Sequence, residues 1–182
     1  MRKVLTATWL VLLVLLIGLG CSKTPKGPAQ RLVPGDEAPV FNLPFIDSSE
    51  EVIVSKDFHR AYATVLIFWN MSCPSCREAL VQCQQVYDDF RHTASVFYGV
   101  NFDTENLQGV RAFLKGENIT IPHLWDRGQR ATRDYKALDY TFSLFVIDRE
   151  GEIVLAQYDH PPDLVDVLTE ALEETLPPGA GD

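Results

Sequence analysis

The stretch Phe68-Trp69-Asn70-Met71-Ser72-Cys73-Pro74-Ser75-Cys76-Arg77-Glu78 decides the fold of this chain. Before its two cysteines, residues 64–69 form a continuous run of β-branched, aromatic and aliphatic side chains, which predicts a strand covered on both faces. After them, apolar residues recur at three- and four-residue spacing and predict a helix over residues 74–91. Its inward stripe consists of Cys76, Ala79, Leu80, Cys83, Val86, Tyr87 and Phe90.

The position of the two cysteines between a strand and a helix predicts redox chemistry. Cys73 lies at the helix N-terminus, where free N–H groups and the helix dipole favour a thiolate. Pro74 suits the first helical turn. Cys76 belongs to the inward stripe. We therefore expect Cys73 to attack a substrate disulfide and Cys76 to be the buried thiol that resolves the mixed disulfide.

A zinc site is the alternative interpretation of the same spacing, and it needs two further ligands. Cys83 lies seven residues after Cys76, about 10 Å along a helix that rises 1.5 Å per residue, and we expect it to be a small core residue. The four histidines show no paired spacing, and each is expected to be a surface or packing residue: His59, His92, His123 and His160. No metal site is predicted.

The remaining apolar patterns predict an α/β domain with a mixed sheet. A β-hairpin is expected within residues 38–54, against the sheet edge. After the cysteine motif, we expect a strand at residues 95–100 and then a helix that is capped by Asp103-Thr104. The inward residues of this helix are Leu107, Val110, Phe113 and Leu114. A short strand at residues 121–125, a hairpin of 143–147 with 152–157 that turns at Gly151, and a helix from Pro161 complete the predicted elements.

Composition and the two ends of the chain bound its class. The 182 residues are 46% hydrophobic, enough for one buried core, and the formal net charge of −9 argues against a nucleic-acid partner. Residues 1–20 combine Arg2 and Lys3 with an apolar run and small residues, which is the layout of a secretory signal. We expect a Pro-rich tether over residues 21–34, one domain over 35–176 and a flexible tail over 177–182.

The end of the predicted signal, Gly18-Leu19-Gly20-Cys21, resembles the lipobox of bacterial lipoproteins. The resemblance implies lipid attachment at Cys21 and anchoring of the domain to a membrane. An uncleaved membrane anchor is the alternative. Both place the positive residues inside and the domain on the oxidising, extracytoplasmic side, in the cell envelope.

The segment around Cys73 also resembles the active site of the thioredoxin superfamily, and most of the chain after the tether is similar to its TlpA/ResA-like branch. Further resemblances are residues 34–43 to the opening motif of that branch, Asn101-Phe102-Asp103 to its second-strand ending and residues 145–151 to its late hairpin. The resemblance implies a thioredoxin-like fold in which a central mixed β-sheet is flanked by helices, with an N-terminal hairpin extension.

This resemblance implies a function as an extracytoplasmic thiol-disulfide oxidoreductase acting on protein thiols and disulfides, with electrons from a membrane donor. The Cys73–Cys76 disulfide is itself the redox group, so no separate cofactor is expected. Substrate contacts are expected from Trp69, Pro74, Ser75, Thr141 and Phe142.

The chain departs from the family pattern at positions that support catalysis. Thr141-Phe142 stands where the family has a cis-proline, and because a non-proline cis bond costs about 2.5 to 4 kcal/mol we expect a trans bond. Ile67 and Ala79 stand where relatives carry an acid, so Cys76 would lack a buried base. Ser72 replaces a usual tryptophan. A degenerate thioredoxin-fold module that binds a partner or a metal is therefore the competing hypothesis.

Peroxiredoxins share the fold and the opening motif. Their peroxidatic loop reads PxxxTxxC, whereas this chain has Asn70 in place of the threonine and lacks the proline. We therefore expect disulfide exchange rather than peroxide reduction.

Overall fold

The computed structural model describes residues 31–48 and 50–178. The predicted signal, Cys21, residues 21–30 of the predicted tether and residues 179–182 of the tail lie outside the described residues. Within the part described, a five-stranded mixed sheet is flanked by helices, which confirms the predicted fold class. No helix among these residues is both long enough and apolar enough to cross a bilayer.

The described residues form seven strands and five helices. The strands are β1 Asn42–Pro44, β2 Glu51–Ile53, β3 Ala63–Trp69, β4 Ser95–Asn101, β5 His123–Trp125, β6 Phe142–Asp148 and β7 Ile153–Tyr158. The helices are α1 Val54–Phe58, α2 Pro74–Phe90, α3 Leu107–Gly116, α4 Arg130–Asp134 and α5 Leu164–Thr175.

Strand β3 is the centre of the sheet, whose order is β5-β4-β3-β6-β7. It pairs in parallel with β4 and antiparallel with β6, and all seven of its residues are buried. Its last residue, Trp69, is opposite Asn101 of β4 and Phe142 of β6. Three strand ends therefore meet at the edge of the sheet from which the chain enters the cysteine motif.

The predicted N-terminal hairpin is present as β1 and β2, which pair antiparallel. Phe45, directly after β1, forms a bridge with Leu124 of β5. The hairpin therefore lies against the outer strand of the main sheet, as predicted.

The alternation of side chains along β3 divides the core into two layers. Val65, Ile67 and Trp69 join the buried side chains of α2, α3 and α5. Leu66 and Phe68 join a second cluster on the other face of the sheet. Helix α2 follows its predicted bounds closely, and its buried stripe includes both Cys76 and Cys83.

Three details of the helices differ from the sequence prediction. The cap predicted at Asp103-Thr104 is wrong: Asn106 is the N-cap of α3, with a φ of 61°, and its side chain accepts a hydrogen bond from the Gly109 N–H at 3.2 Å. The Asp103 carboxylate turns back to bind the loop after β3 instead. Helix α5 begins at Leu164, after the Pro161-Pro162 pair, and the short helix α4 was not predicted.

Candidate redox site

Cys73 and Cys76 form a disulfide at the N-terminus of α2, with their Cα atoms 5.3 Å apart. Cys73 is the N-cap residue, with extended backbone angles, and its Sγ accepts a hydrogen bond from the Cys76 N–H at 3.1 Å. Pro74 occupies the first helical turn, where its missing N–H leaves no donor unsatisfied. A thiolate on Cys73 would face the free N–H groups of this helix end, which stabilise negative charge.

The two sulfurs differ in access. The Cys73 residue is 7% exposed, whereas Cys76 is fully buried. The Ser75 hydroxyl lies 3.2 Å from Cys73 Sγ, within hydrogen-bond reach. An incoming thiol can therefore approach Cys73, and Cys76 is accessible only to its partner within the same motif.

Thr141 lies directly against the buried sulfur: its carbonyl oxygen is 2.9 Å from Cys76 Sγ. The peptide bond between Thr141 and Phe142 is trans, as the sequence predicted, since no peptide bond among the described residues is cis. When the pair is reduced, this carbonyl is placed to accept a hydrogen bond from the Cys76 thiol. The Thr141 N–H, by contrast, has no hydrogen-bond partner among the described residues.

The residues predicted to contact substrate divide into two groups. Pro74, Ser75 and Thr141 are exposed around the disulfide. Trp69 is fully buried and Phe142 is 1% exposed, so in this state neither side chain offers surface to a substrate. The Trp69 ring packs against the rings of Phe113 and His123 instead, with centroids 5.6 Å away in both cases. Trp69 and Phe142 thus support the site from beneath.

A hydrogen-bond network that the sequence analysis missed holds the loop before Cys73. The Asp103 carboxylate accepts from the Met71 N–H at 2.9 Å and from the Asn101 amide at 2.8 Å. The indole N–H of Trp125 donates to the Asp103 carbonyl at 2.8 Å. The motif Asn101-Phe102-Asp103 was noticeable in the sequence, but its contact with a loop 32 residues away was not.

Cys76 has no acidic side chain beside it at the two positions where relatives carry one. Ile67 and Ala79 are both fully buried and belong to the same apolar cluster as Cys76. Cys83, two turns further along α2, is a free and fully buried thiol, as predicted. Burial raises the pKa of this thiol well above its usual range, so Cys83 stays protonated.

His123 is the buried histidine of the four, and it packs close to Gly99 beneath Trp69. Its Nδ1 lies 2.6 Å from the Ile121 carbonyl oxygen and donates to it, whereas its buried Nε2 has no partner. Burial lowers the pKa of this imidazole to about 4, against the smaller opposing effect of the Ile121 carbonyl. Among residues 31–48 and 50–178, no group of three or more histidine, cysteine or acidic side chains is arranged to hold a metal ion.

A cysteine pair at the start of the helix that follows the central strand of such a sheet defines the class of thioredoxin-fold thiol-disulfide oxidoreductases. The AhpC/TSA family profile matches residues 34–156. The chain belongs to the AhpC/TSA family, within the thioredoxin superfamily, and the predicted family relationship is confirmed.

The named relatives include a member of this class and a protein named as a peroxiredoxin. The sporulation thiol-disulfide oxidoreductase A of Bacillus subtilis is 28% identical over 151 residues, which cover 82% of this chain and 88% of the relative. A Mycobacterium tuberculosis protein named "putative peroxiredoxin" is 27% identical over 141 residues, covering 71% of this chain and 87% of the relative. The structure of a Chlorobium tepidum protein named "putative thiol:disulfide interchange protein DsbE" has a TM-score of 0.71 at 23% identity, covering 80% of this chain and 99% of that one.

Proposed function

We propose that this protein is an extracytoplasmic thiol-disulfide oxidoreductase that uses its Cys-Pro-Ser-Cys pair to reduce or exchange disulfides in envelope proteins. The observation that carries the proposal is the asymmetry of the pair, with Cys73 at the helix N-terminus and near the surface and Cys76 fully buried against the Thr141 carbonyl. This asymmetry supports different roles for the two sulfurs in disulfide exchange.

In the first step, the Cys73 thiolate attacks one sulfur of a substrate disulfide. A bond forms between Cys73 Sγ and that sulfur, the substrate S–S bond breaks, and the departing thiolate takes a proton from solvent. In the second step, the Cys76 thiolate attacks Cys73 Sγ, closes the Cys73–Cys76 disulfide and releases the second substrate thiolate. Two electrons pass to the substrate, and the pair is left in the oxidised state seen in the structure.

The exposed residue Thr141 suggests how a polypeptide substrate is held. Its carbonyl is directed at Cys76, but its unpartnered N–H is free to donate to the backbone of an extended substrate. Pro74 and Ser75 supply the facing surface. We expect the contact to depend on main-chain hydrogen bonding because Trp69 and Phe142 are buried.

The predicted signal and lipobox support a membrane location, and with it the proposed electron supply. Attachment of a lipid at Cys21 would tether the domain to the membrane and place the pair within reach of a membrane electron donor. The distribution of the full chain and of a Cys21→Ala variant between membrane and soluble fractions tests this part of the proposal. Equal distribution of the two proteins would contradict lipid anchoring.

The redox function is tested by turnover of a protein disulfide such as insulin and of a small aromatic disulfide, with dithiothreitol as electron source. We expect activity in the full chain, its loss in Cys73→Ser, and accumulation of a mixed disulfide in Cys76→Ser. Cys83→Ser is the matched control, because Cys83 lies on the same helix but is sealed in the core. A wild-type rate equal to that of Cys73→Ser would reject the proposal.

A second candidate function is binding of a partner protein without efficient turnover. The observation that favours it is the apolar environment of Cys76, in which Ile67 and Ala79 replace the family's acids. A Cys73→Ala, Cys76→Ala double variant decides between the two, since it would retain its partner only if the cysteines are not the functional groups.

A further inference from the structure

Arg31, the first described residue, packs against two tyrosines near the disulfide. Its guanidinium carbon lies 4.5 Å from the centre of the Tyr140 ring and 5.3 Å from that of Tyr158. Its Nε also donates to the Tyr140 hydroxyl. The next residue, Leu32, donates its N–H to the Tyr158 hydroxyl at 2.9 Å. The end of the predicted tether is therefore bound to the domain through both aromatic side chains.

Tyr158 is the fixed member of this pair. It lies at the end of β7, is 8% exposed, and donates its hydroxyl hydrogen to the Tyr135 carbonyl at 3.0 Å. Burial raises the pKa of Tyr158, so the hydroxyl keeps the hydrogen that this bond requires. Tyr140 packs on it with ring centroids 4.7 Å apart. Tyr140 itself lies in the loop before β6, where its backbone makes a single turn bond, from its N–H to the Ala137 carbonyl.

The loop that Arg31 contacts through Tyr140 is also the loop that contacts the buried sulfur of Cys76. Tyr140 is followed directly by Thr141, whose carbonyl oxygen lies 2.9 Å from Cys76 Sγ. A proline at this position would restrict the backbone by its ring, but Thr141-Phe142 has no such restriction. The freedom of the Thr141 carbonyl on its N-terminal side is therefore limited by the preceding residue, through the turn bond from Tyr140 to Ala137 and through the contacts of the Tyr140 ring.

We propose that Arg31 is a positioning residue of the redox site: by clamping Tyr140 onto Tyr158, it holds the Thr141 carbonyl as acceptor for the reduced Cys76 thiol. The inference deepens the proposed redox function and rests on it for its biological meaning. A hydrogen bond from the Cys76 thiol exists only in the dithiol state, so it stabilises that state relative to the disulfide. Weakening the clamp should make the pair a stronger reductant.

The test is the equilibrium of the full chain with glutathione, in which the dithiol and oxidised glutathione give the Cys73–Cys76 disulfide and two reduced glutathiones. Mass spectrometry of the peptide that carries both cysteines reads the ratio. We expect Arg31→Ala to shift the equilibrium toward the protein disulfide by a factor of about 3 to 10, the range expected for one hydrogen bond; tenfold corresponds to about 30 mV. Arg31→Lys, which keeps a cation over the ring, should restore part of the shift.

Arg149→Ala is the matched control. Its guanidinium carbon lies 4.7 Å from the centre of the Tyr62 ring, the same kind of contact, but at the opposite end of β3 from the disulfide. We expect no shift in this variant. Amide hydrogen exchange supplies a second readout, in which Arg31→Ala should accelerate exchange at Tyr140 and leave the amides of α2 unchanged.

The outcomes separate this inference from the proposed function. An Arg31→Ala equilibrium within twofold of wild type, or an equal shift in Arg149→Ala, overturns the positioning role while insulin reduction by the wild type stands. If the wild type fails to reduce insulin, the proposed function fails, but the effect of Arg31 on the glutathione equilibrium is still measured. Both experiments use the folded chain, and neither variant removes a buried side chain.

Discussion

The Asp103 carboxylate accepts a hydrogen bond from the Met71 N–H at 2.9 Å, joining the end of β4 to the loop that delivers Cys73. We predict that Asp103→Ala loosens this loop and lowers the turnover of a small aromatic disulfide several-fold. The free energy of unfolding should fall by about 1 to 3 kcal/mol, because a hydrogen bond to a charged acceptor is lost. Asp103→Asn, which keeps an acceptor oxygen, should restore most of the turnover and most of the stability. Steady-state kinetics and urea unfolding measure the two effects, and the exposed Glu105→Ala is the control. Unchanged turnover in Asp103→Ala would contradict the role.

The missing buried base predicts slow resolution of the mixed disulfide. Ala79 is one helical turn after Cys76 and points into the same apolar cluster. We expect Ala79→Glu to accelerate closure of the Cys73–Cys76 disulfide by at least about tenfold over Ala79→Gln, since a positioned base contributes 10² to 10⁴ in favourable cases. The introduced Glu and Gln side chains are similar in size, so a comparison of the two variants separates base catalysis from the strain of overpacking. Single-turnover decay of the mixed disulfide is the measurement, and equal rates in the two variants would exclude proton abstraction as the limiting step.

Close packing of Gly99 and His123 predicts a strong coupling between them. A Cβ on Gly99 would overlap the His123 imidazole. Gly99→Ala should therefore destabilise the domain by about 1 to 3 kcal/mol, as overpacking does. In a His123→Ala background the same change should be nearly neutral. Urea unfolding of the four proteins of this double-mutant cycle gives the coupling energy, and purely additive effects would show that the two residues do not compete for space.

The buried imidazole of His123 predicts a fall in stability with acid. Its pKa of about 4 in the folded protein lies below the ordinary value of 6.5, so between these values the unfolded chain binds a proton that the folded one does not. The contribution of His123 to the free energy of unfolding is fully present above pH 6.5 and is lost as the pH falls toward 4, by about 3 kcal/mol in all, at roughly 1.4 kcal/mol for each pH unit.

Comparison of urea unfolding at pH 7 and pH 4 in the wild type and in His123→Gln isolates this contribution. The carboxylates titrate in both proteins and cancel in the difference. Between pH 7 and pH 4, we expect His123→Gln to lose less free energy of unfolding than the wild type, by most of the contribution of His123 given above. Parallel loss of stability in both proteins would mean that His123 is protonated without opening the fold.

The sequence predicted those features that depend on local periodicity. The strand before Cys73, the stripe of α2 and the burial of Cys83 all follow from apolar residues at regular spacing. Gly151 lies at the predicted hairpin turn, with a positive φ of 88°. Helix α4 was missed because five residues are too few to show a period. Its start is fixed by the Asp126 carboxylate, which accepts from the N–H groups of Arg130 and Thr132.

The details of the site that escaped prediction are contacts between distant segments. The family resemblance placed Thr141-Phe142 at the cis-proline position, but did not indicate that the Thr141 carbonyl would turn toward Cys76, 65 residues away. Trp69 was expected to contact substrate because it flanks the motif. It is buried because β3 is the central strand, and its ring therefore lies between the sheet and α3.

The sealed thiol of Cys83 makes the domain a reporter of its own opening. Of the three cysteines among the described residues, Cys73 is slightly exposed and Cys76 is accessible only to Cys73, whereas Cys83 is protonated and is reached by no reagent unless α2 leaves the sheet. After the Cys73–Cys76 pair is oxidised, alkylation at Cys83 counts only molecules that have unfolded. The rate of this alkylation in cells would record how often the protein opens in its native compartment, without an engineered probe.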